Sequence, residues 1–254
     1  MSKTIFITGA SSGFGAATAT KFAQEGWNLI LLGRRRERLE SLSQHFPESV
    51  FCHLICVDVR DAALVNEAIE LLPARVRDID VLVNSAGLAL GMDPAQAADV
   101  ADWDAMIDTN IKGLTYCTHA VLPKMIARSA GHIVNLSSTA AHYPYPGGNT
   151  YGATKAFVSQ FSKNLRADLH GTGIRVSNIE PGLAESEFSL VRFKGDASAA
   201  KKVYEGTSPL QPVDIADAIH WAVHMPSHVN VNNIELMPVC QSWGPTAIHR
   251  GASF

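Results

Sequence analysis

Short apolar runs rich in β-branched residues alternate with longer segments of helical periodicity along nearly the whole chain. The apolar runs cover residues 4–8, 28–32, 51–57, 81–84, 132–137, 175–179 and 233–237. The helical patterns cover residues 13–25, 35–45, 62–72, 101–127, 151–169 and 213–223. This alternation is typical of βαβ units, in which each helix returns the chain to begin another parallel strand. It predicts an α/β fold with helices on both faces of a parallel sheet of about seven strands.

No linker, internal repeat or low-complexity tract divides the 254 residues. The expected organisation is therefore a single doubly wound, Rossmann-like domain over residues 1–254. Two segments lack clear periodicity, namely residues 185–207 and the tail at 238–254. Long irregular segments in a compact domain are usually functional. We expect residues 185–207 to be a substrate lid, and the tail to be a subunit contact or a pocket wall.

Composition and charge exclude several classes of partner. The net charge of −3 gives no electrostatic footprint for nucleic acid or an anionic membrane. No apolar run approaches the roughly 18 residues of a membrane span, and no signal-peptide pattern is expected at the first residues. The four cysteines form no CxxC pair, and no histidine cluster has the usual metal spacing. We expect reduced cysteines, no metal and a cytoplasmic location.

A glycine-rich loop joins the first predicted strand to the first predicted helix and reads Thr8-Gly9-Ala10-Ser11-Ser12-Gly13-Phe14-Gly15. Glycines let the backbone turn sharply and approach a pyrophosphate, while the helix N-terminus supplies N–H donors and a favourable dipole. Glycine clusters also serve ordinary turns. The position between the first strand and the first helix of a βαβ series favours nucleotide binding.

The end of the second predicted strand carries Arg34 and Arg35. A protein that binds NAD places a carboxylate near this point to accept hydrogen bonds from the ribose 2′-hydroxyl. A carboxylate would repel a 2′-phosphate, whereas arginine binds phosphate in bidentate fashion. A solvated basic helix start is the alternative, but cations are mildly unfavourable at a helix N-terminus. The two arginines therefore predict NADP(H) as the cofactor.

Tyr151 and Lys155 are four residues apart in a helical pattern, so they share one face of the helix. A phenol with its ordinary pKa of about 10 is a poor proton relay at neutral pH, and a nearby ammonium lowers that pKa. Ser138 lies thirteen residues earlier and would hold a substrate oxygen beside the phenol. By itself this spacing is also compatible with an ordinary amphipathic helix.

Together these motifs resemble the short-chain dehydrogenase/reductase family, whose first loop reads TGxxxGxG, as residues 8–15 do here. The resemblance covers nearly the whole chain and implies hydride transfer between NADP(H) and a carbonyl or alcohol carbon. Ser138, Tyr151 and Lys155 match the family's catalytic triad. Asn110 matches the fourth member of its tetrad, which supports a proton-relay water near the lysine. Ser137 is the alternative serine, but the spacing to Tyr151 favours Ser138.

The resemblance also implies further cofactor contacts. Asp58 and Val59 match residues that contact the adenine, and residues 84–87 match the family's NNAG motif with Ser85 in place of the second asparagine. Residues 181–182 match the motif beside the nicotinamide carboxamide, and Ser186 stands where many members have threonine. The full predicted cofactor set is Gly9, Ser11, Ser12, Gly13, Phe14, Gly15, Arg34, Arg35, Asp58, Val59, Asn84, Ala86, Gly87, Tyr151, Lys155, Pro181, Gly182 and Ser186.

The segments expected to form the substrate pocket are rich in hydrogen-bond donors. The predicted substrate residues are Ser138, Tyr145, Tyr151, Arg192 and Gln241, and Arg250 in the tail is a further donor. Arg192 would clamp an anionic group, although a solvent-facing arginine beside aromatic residues is the alternative. Residues 87–91, 144–149 and 191–196 resemble the branch of 3-hydroxy acid dehydrogenases and sulfoacetaldehyde reductases. That similarity favours reduction of sulfoacetaldehyde to isethionate, with oxidation of serine, allo-threonine or 3-hydroxypropionate as the alternative.

A non-catalytic NADP(H)-binding sensor or scaffold is an alternative of a different class, since fold alone does not fix function. Such proteins usually lack part of the tetrad, whereas all four positions are filled here. By resemblance, the chain is also expected to form a homotetramer through the helical segments at residues 101–127 and 151–169.

Overall fold

In the computed structural model, which describes residues 2–244, seven parallel strands form one sheet. The strands are β1 (Thr4–Thr8), β2 (Asn28–Leu32), β3 (Cys52–Ile55), β4 (Val81–Asn84), β5 (Gly131–Leu136), β6 (Ile174–Pro181) and β7 (Asn233–Leu236). Their order across the sheet is β3-β2-β1-β4-β5-β6-β7. The chain order reverses between β1 and β4, which is where ligands bind in open α/β sheets.

Nine α-helices lie in the described part of the chain. They are α1 (Gly13–Gln24), α2 (Arg36–Ser43), α3 (Ala62–Glu70), α4 (Val100–Ile107), α5 (Leu114–Ala127), α6 (Asn149–Asp168), α7 (Phe188–Arg192), α8 (Ala197–Lys202) and α9 (Pro212–His224). None of the helices described is long and apolar enough to cross a membrane.

The two faces of the sheet carry separate hydrophobic cores, because successive side chains of a strand point to opposite faces. Phe6 packs with side chains of α3, α5 and α6 in one core. Its neighbours Ile5 and Ile7 pack with side chains of α1, α2 and α9 in the other. Helices therefore cover both faces of the parallel sheet, and the predicted doubly wound α/β fold is confirmed.

Two regions differ from the predicted elements. The single helix predicted over residues 101–127 consists of α4 and α5 joined by a π-helical stretch, Asp108–Gly113. A hypothetical Cβ at Gly113 would lie 2.6 Å from Val59 Cγ2, so the backbone of this stretch packs closely on the strand ends. The segment 185–207, predicted to be irregular, contains the short helices α7 and α8.

Candidate active site

The glycine loop packs directly against the chain that leaves β4. Gly9 has φ of +67°, and a hypothetical Cβ there would lie 2.8 Å from Ala86 Cα. A Cβ at Gly15 would lie 2.6 Å from the Gly9 carbonyl oxygen. Thr8 Oγ1 accepts hydrogen bonds from the Ser85 and Ala86 N–H groups at 3.1 and 3.0 Å. Only glycine fits at positions 9 and 15 without moving backbone atoms, so these residues fix the shape of the loop.

A cleft opens beside this loop at the carboxyl ends of β1, β2 and β4. Most of the predicted cofactor residues line it, namely Gly9, Ser11, Ser12, Gly13, Phe14, Arg34, Arg35, Asp58, Val59, Ala86, Gly87 and Ser186. The cleft is also lined by residues that sequence reasoning missed, among them Leu32, Val57, Leu88, Thr109, Glu187 and Phe188.

The N-terminus of α1 opens into this cleft. Ser12 is the N-cap residue, but its side chain makes no capping hydrogen bond to the helix. The first N–H groups of a helix lack internal partners and carry the positive end of its dipole. A pyrophosphate fits this environment, because the loop allows close approach and the helix offers donors.

Arg35 places a cation beside the same loop. Its guanidinium donates hydrogen bonds to Ser11 Oγ at 3.2 Å and Ser12 Oγ at 2.9 Å. Arg34 is more exposed, and its Nη1 lies 3.9 Å from a carboxylate oxygen of Asp58. A 2′-phosphate at the end of β2 would meet both guanidinium groups. The arrangement fits NADP(H) better than NAD(H), whose free 2′-hydroxyl prefers a carboxylate acceptor.

Glu187 contacts this basic cluster from the segment 185–207. One of its oxygens accepts a hydrogen bond from Arg35 at 3.1 Å, and the other is paired with Arg38. The hydrogen bonds from Arg38 and Arg35 hold the pKa of this carboxyl below its usual value. No local pattern predicts the contact, because Arg35 and Glu187 are 152 residues apart in sequence.

Asp58 and Val59 lie in the cleft just after β3. Partial burial opposes ionisation of Asp58, but hydrogen bonds from Arg60 outweigh it and hold the carboxyl pKa below its usual value. Val59 lies against Gly113, where its side chain forms part of the cleft wall. A carboxylate beside an apolar wall is compatible with the adenine contact that the sequence predicts.

Asn84 and Gly87 occupy different positions in the motif that follows β4. Asn84 Nδ2 donates to Thr118 Oγ1 and Asn135 Oδ1, both at 2.9 Å, so this side chain stabilises the buried layer behind the cleft. Gly87 lies where the cleft meets the predicted catalytic residues. A hypothetical Cβ there would lie 3.5 Å from Lys155 Nζ, so a larger residue would crowd the lysine.

Tyr151 and Lys155 lie on α6 and are both buried. Lys155 Nζ is 5.8 Å from the centre of the Tyr151 ring and donates to the Leu136 carbonyl oxygen at 2.8 Å. The two side chains therefore lie on one side of the helix, at the carboxyl end of β5. At this separation the phenol can donate a proton, and the positive charge of the ammonium stabilises the phenolate that remains.

The two candidate serines have different surroundings. Ser137 Oγ is buried and donates to the Lys155 carbonyl oxygen at 2.7 Å, so it fastens α6 to the sheet. Ser138 Oγ is only half-buried, lies 3.3 Å from the Pro181 carbonyl oxygen and interacts with the Tyr151 phenol. This geometry favours Ser138 as the residue that faces the reacting groups.

The pKa of Tyr151 departs from its sequence-based expectation. Burial raises the pKa of this phenol to about 12, although the Arg192 guanidinium and the Ser138 hydroxyl act to lower it. Burial also lowers the pKa of Lys155 to about 8. The net lowering of the phenol pKa that the sequence predicts is therefore not found in this structure, because the cost of burying a phenolate dominates.

Asn110 lies in the π-helical stretch, close to Lys155. Its side-chain oxygen accepts from the Leu88 N–H at 2.9 Å. Its Nδ2 donates to the Leu88 carbonyl oxygen at 2.8 Å and to Thr154 Oγ1 at 3.0 Å. These bonds hold the segment after β4 against α6. The π-helical geometry brings the Asn110 side chain to this junction, which fits the common occurrence of π-helical turns at functional sites.

The remaining predicted residues lie after β6. The Gly182 N–H donates to the Leu236 carbonyl oxygen at 2.7 Å. Gln241 Oε1 accepts from the Leu183 N–H at 2.6 Å, and its place in the substrate pocket stays a prediction. Ser186 Oγ accepts from the Phe188 N–H at 3.2 Å, at the beginning of α7. Residues 245–254 of the predicted tail, which include Arg250, lie outside the described residues.

Arg192 lies closer to the centre of the Tyr151 ring than Lys155 does. Its guanidinium carbon lies 5.0 Å from the centre of the Tyr151 ring, and Nη2 donates to the Tyr145 hydroxyl at 2.7 Å. Arg192 Nε is buried and has no hydrogen-bond partner within residues 2–244, where Arg192 also makes no salt bridge. A half-buried guanidinium with an unsatisfied donor is costly unless an anion joins it.

Comparison with known proteins agrees with this arrangement. The short chain dehydrogenase family profile matches residues 3–195. The chain belongs to the short-chain dehydrogenase family. An NADP-dependent 3-hydroxy acid dehydrogenase, YdfG of Salmonella typhi, is 54% identical over 97% of this chain and 99% of its own length. Sulfoacetaldehyde reductase 2 of Chromohalobacter salexigens is 53% identical over 98% of this chain and 100% of its own length.

A solved structure agrees as well. The closed form of serine dehydrogenase in complex with NADP+ is 51% identical, with a TM-score of 0.95, and covers 98% of this short-chain dehydrogenase and 100% of its own chain. The dehydrogenase described here is an NADP-dependent oxidoreductase. Its cofactor is NADP(H), as the arginines at the end of β2 predict.

Proposed function

We propose that this short-chain dehydrogenase uses NADPH to reduce a small anionic aldehyde, with sulfoacetaldehyde, which gives isethionate, as the first candidate. The observation that carries the proposal is the position of Arg192. A guanidinium without a carboxylate partner in the described chain lies next to the phenol that would protonate the product. An anionic group two or three atoms from the reacting carbon would reach both Arg192 and Tyr151.

The catalytic steps follow from the positions of four side chains. Bound NADPH supplies the hydride. The Ser138 hydroxyl and the Tyr151 phenol hold the substrate carbonyl oxygen, and Tyr151 donates the proton that turns this oxygen into a hydroxyl. Lys155 stabilises the resulting phenolate by its positive charge. Asn110 fixes the segment after β4 beside Lys155, where a water would return the proton to Tyr151.

The high pKa of Tyr151 suits the reductive direction. A phenol with a pKa of about 12 remains protonated at neutral pH and is ready to donate. The positive charge of Arg192 stabilises the phenolate that forms, so the charge that binds the substrate also assists the proton transfer. Oxidation of an alcohol requires the phenolate at the outset and is therefore favoured by higher pH.

A sulfonate matches the donors around Arg192. It offers three acceptor oxygens, and two side chains beside Tyr151 have an unused donor. Arg192 Nε has no partner within residues 2–244, and Tyr145 accepts from Arg192 and so keeps its own O–H for a ligand. The third donor in this proposal is Nε2 of Gln241, whose Oε1 accepts from the Leu183 N–H. The similarity to sulfoacetaldehyde reductase 2 over almost the full length supports this candidate.

A 3-hydroxy acid is the second candidate. The relatives named 3-hydroxy acid dehydrogenase and the solved serine dehydrogenase are as similar to this chain as the sulfoacetaldehyde reductase is. A carboxylate has two acceptor oxygens and binds an arginine in bidentate fashion. In this case Tyr145 or Gln241 would bind the amino or hydroxyl group of the substrate.

Steady-state kinetics with both cofactors would decide between these functions. The substrates to compare are sulfoacetaldehyde and malonate semialdehyde for reduction, with serine and allo-threonine for oxidation. We expect the highest kcat/KM for sulfoacetaldehyde with NADPH. A higher kcat/KM for malonate semialdehyde and activity on the hydroxy acids would favour the second candidate. No NADPH consumption with any of these compounds, or with neutral small aldehydes, would support a non-catalytic NADP(H)-binding role.

We also propose that the enzyme works in the cytoplasm as a homotetramer. The helical segments of residues 101–127 and 151–169 would form the subunit interface. On α6, Phe157 stacks on Phe161 with ring centres 5.7 Å apart, and Phe157 retains 36% exposure. An aromatic pair on the outer face of a helix is a suitable contact for another subunit.

A further inference from the structure

Three potential metal ligands from distant parts of the sequence meet on the surface at the ends of two helices. Glu25 is the C-cap residue of α1, His224 lies on the last turn of α9, and His220 lies one turn before it. One ligand atom from each residue lies within 4.8 Å of the other two. Contrary to the expectation that no histidines have metal spacing, His220 and His224 are four residues apart and share one face of α9. Glu25 is 195 residues from His220 in sequence, so this spacing does not reveal the third ligand.

We infer that Glu25, His220 and His224 form a binding site for a zinc ion. Two imidazole nitrogens and one carboxylate oxygen are an established ligand set for zinc, with a fourth position left for water. Magnesium and calcium prefer oxygen ligands only, so this set disfavours them. The inference is independent of the proposed enzymatic function.

The side chains are already turned toward one another. His220 Nε2 and His224 Nε2 both contact the Glu25 carboxylate, the latter at 3.2 Å, and the two imidazole ring centres are 4.0 Å apart. Bond lengths of about 2.0–2.2 Å place tetrahedral zinc ligands about 3.4 Å apart. Small rotations of these solvent-accessible side chains would therefore complete the site.

A hydrogen bond orients His224 for coordination. Its Nδ1 lies 2.9 Å from the His220 carbonyl oxygen, which can only accept, so Nδ1 carries the hydrogen. In the neutral ring the Nε2 lone pair is then free for a metal. The ring also stacks on the buried Phe22 with centres 6.0 Å apart, and its edge meets Trp27. These contacts limit the entropy that the ring would lose on binding.

The electrostatic surroundings favour a cation. Both helices end at the cluster, and a helix C-terminus carries the negative end of its dipole. Lys21, in the last turn of α1, is paired with Asp217 of α9 at 2.5 Å, so the charge of this lysine is compensated. The bound zinc would connect α1 to α9 on one face of the sheet.

The location indicates a structural ion rather than a catalytic one. α1 runs from the glycine loop back to the amino end of β2, and Glu25 lies at that far end. Its 12 residues span about 18 Å at 1.5 Å per residue, which separates the cluster from the cofactor cleft. Zinc here would raise stability by binding only the folded chain, and it would not enter the reaction.

Isothermal titration of zinc into untagged protein, paired with thermal unfolding, tests the inference. We expect one zinc per chain with a micromolar Kd. At a free zinc concentration of about 100 Kd, the Tm should rise by about 5–10 °C. His220→Gln and His224→Gln should each weaken binding at least tenfold and remove most of this rise. For each variant, the Tm with zinc is compared with the Tm of the same variant without metal. A change in the stability of the metal-free variant therefore does not affect the comparison.

His45→Gln is the matched control. His45 is exposed, and its Nδ1 contacts the carbonyl oxygen of Ser41 four residues earlier, as His224 contacts that of His220. This variant should bind zinc like the wild type, and so should Cys240→Ser, which removes the exposed thiol. Unchanged zinc affinity in the His220→Gln/His224→Gln double variant would overturn the inference. Loss of binding in Cys240→Ser, or an equal Tm rise with magnesium, would also overturn it.

Discussion

The Arg192 guanidinium lies against the face of the Tyr151 ring, with 5.0 Å between its central carbon and the ring centre. The same guanidinium donates to the hydroxyl of Tyr145. The segment 185–207 thus contributes a positive charge beside Tyr151, which lies on α6. In the proposed function, this pairing places the charged group of the substrate next to the phenol that donates the proton, and the first prediction tests it.

Replacing Arg192 with alanine should raise KM for anionic substrates much more than KM for neutral ones. Loss of hydrogen bonds to a charged group costs about 1.5–3 kcal/mol, so KM for the anionic aldehyde should rise about 10- to 100-fold. KM for a neutral aldehyde of similar size should change little. Arg192→Lys keeps the positive charge, so KM for the anionic aldehyde should rise less than in Arg192→Ala. Equal effects on both substrates in steady-state assays would contradict the anion-binding role.

Tyr151→Phe should remove the proton donor and leave the cofactor cleft intact. We expect kcat to fall by about 10²–10⁴-fold, the usual contribution of general acid catalysis. NADPH affinity, measured by fluorescence titration, should change by less than a factor of about three. Tyr145→Phe is the control, because it removes a nearby phenol that does not transfer the proton. A larger loss of kcat in Tyr145→Phe would assign the proton donor to the other residue.

The pH profiles of the two directions should differ. Lys155 has a pKa of about 8 in this structure, so it loses its charge as the pH rises through that value. Reduction needs Lys155 charged and Tyr151 protonated, and kcat/KM should therefore be level at pH 6–7 and decline above about pH 8. Oxidation needs the Tyr151 phenolate, so its rate should rise over the same range. Profiles from pH 6 to 10 with a neutral aldehyde and its alcohol test this, and parallel profiles would be inconsistent with these roles.

Arg35→Ala should weaken discrimination in favour of NADPH. The loss of a charged hydrogen bond to the 2′-phosphate predicts a rise of about 10- to 100-fold in KM for NADPH. KM for NADH should stay nearly constant, because NADH has no phosphate there. Arg36→Ala is a close control, since Arg36 pairs with Glu40 along α2 and does not line the cleft. Similar changes for both cofactors in Arg35→Ala would argue against phosphate recognition.

Phe157→Asp should disrupt the proposed tetramer. A charge at this outer position of α6 would be buried without a partner in a subunit interface. By light scattering after size exclusion, the wild type should have about four times the 27.3 kDa chain mass, and the variant should be smaller. Val213→Asp is the control, because Val213 is an exposed residue of α9 outside the proposed interface, and this variant should keep the wild-type mass in solution. A wild-type monomer would end the tetramer proposal.

The sequence alone determined the architecture and predicted that Tyr151 and Lys155 lie together. The bounds of β1, β2 and β4 agree with their apolar runs, because a strand covered on both faces must be apolar throughout. Tyr151 and Lys155 were predictable as neighbours, since four residues make about one helical turn. Local sequence patterns were enough to predict contacts between residues of the same helix or strand.

Tertiary structure decided the contacts between segments that are distant in sequence. It brings the Arg192 guanidinium over the Tyr151 ring and pairs Glu187 with Arg35 in a salt bridge. It also brings Glu25 next to the two histidines of α9. It also reversed the expected pKa change of Tyr151, because the effect of burial depends on all the chain packed around the phenol. The sequence lists the groups that can ionise or bind, but only the packed fold determines which of them meet and how much water remains between them.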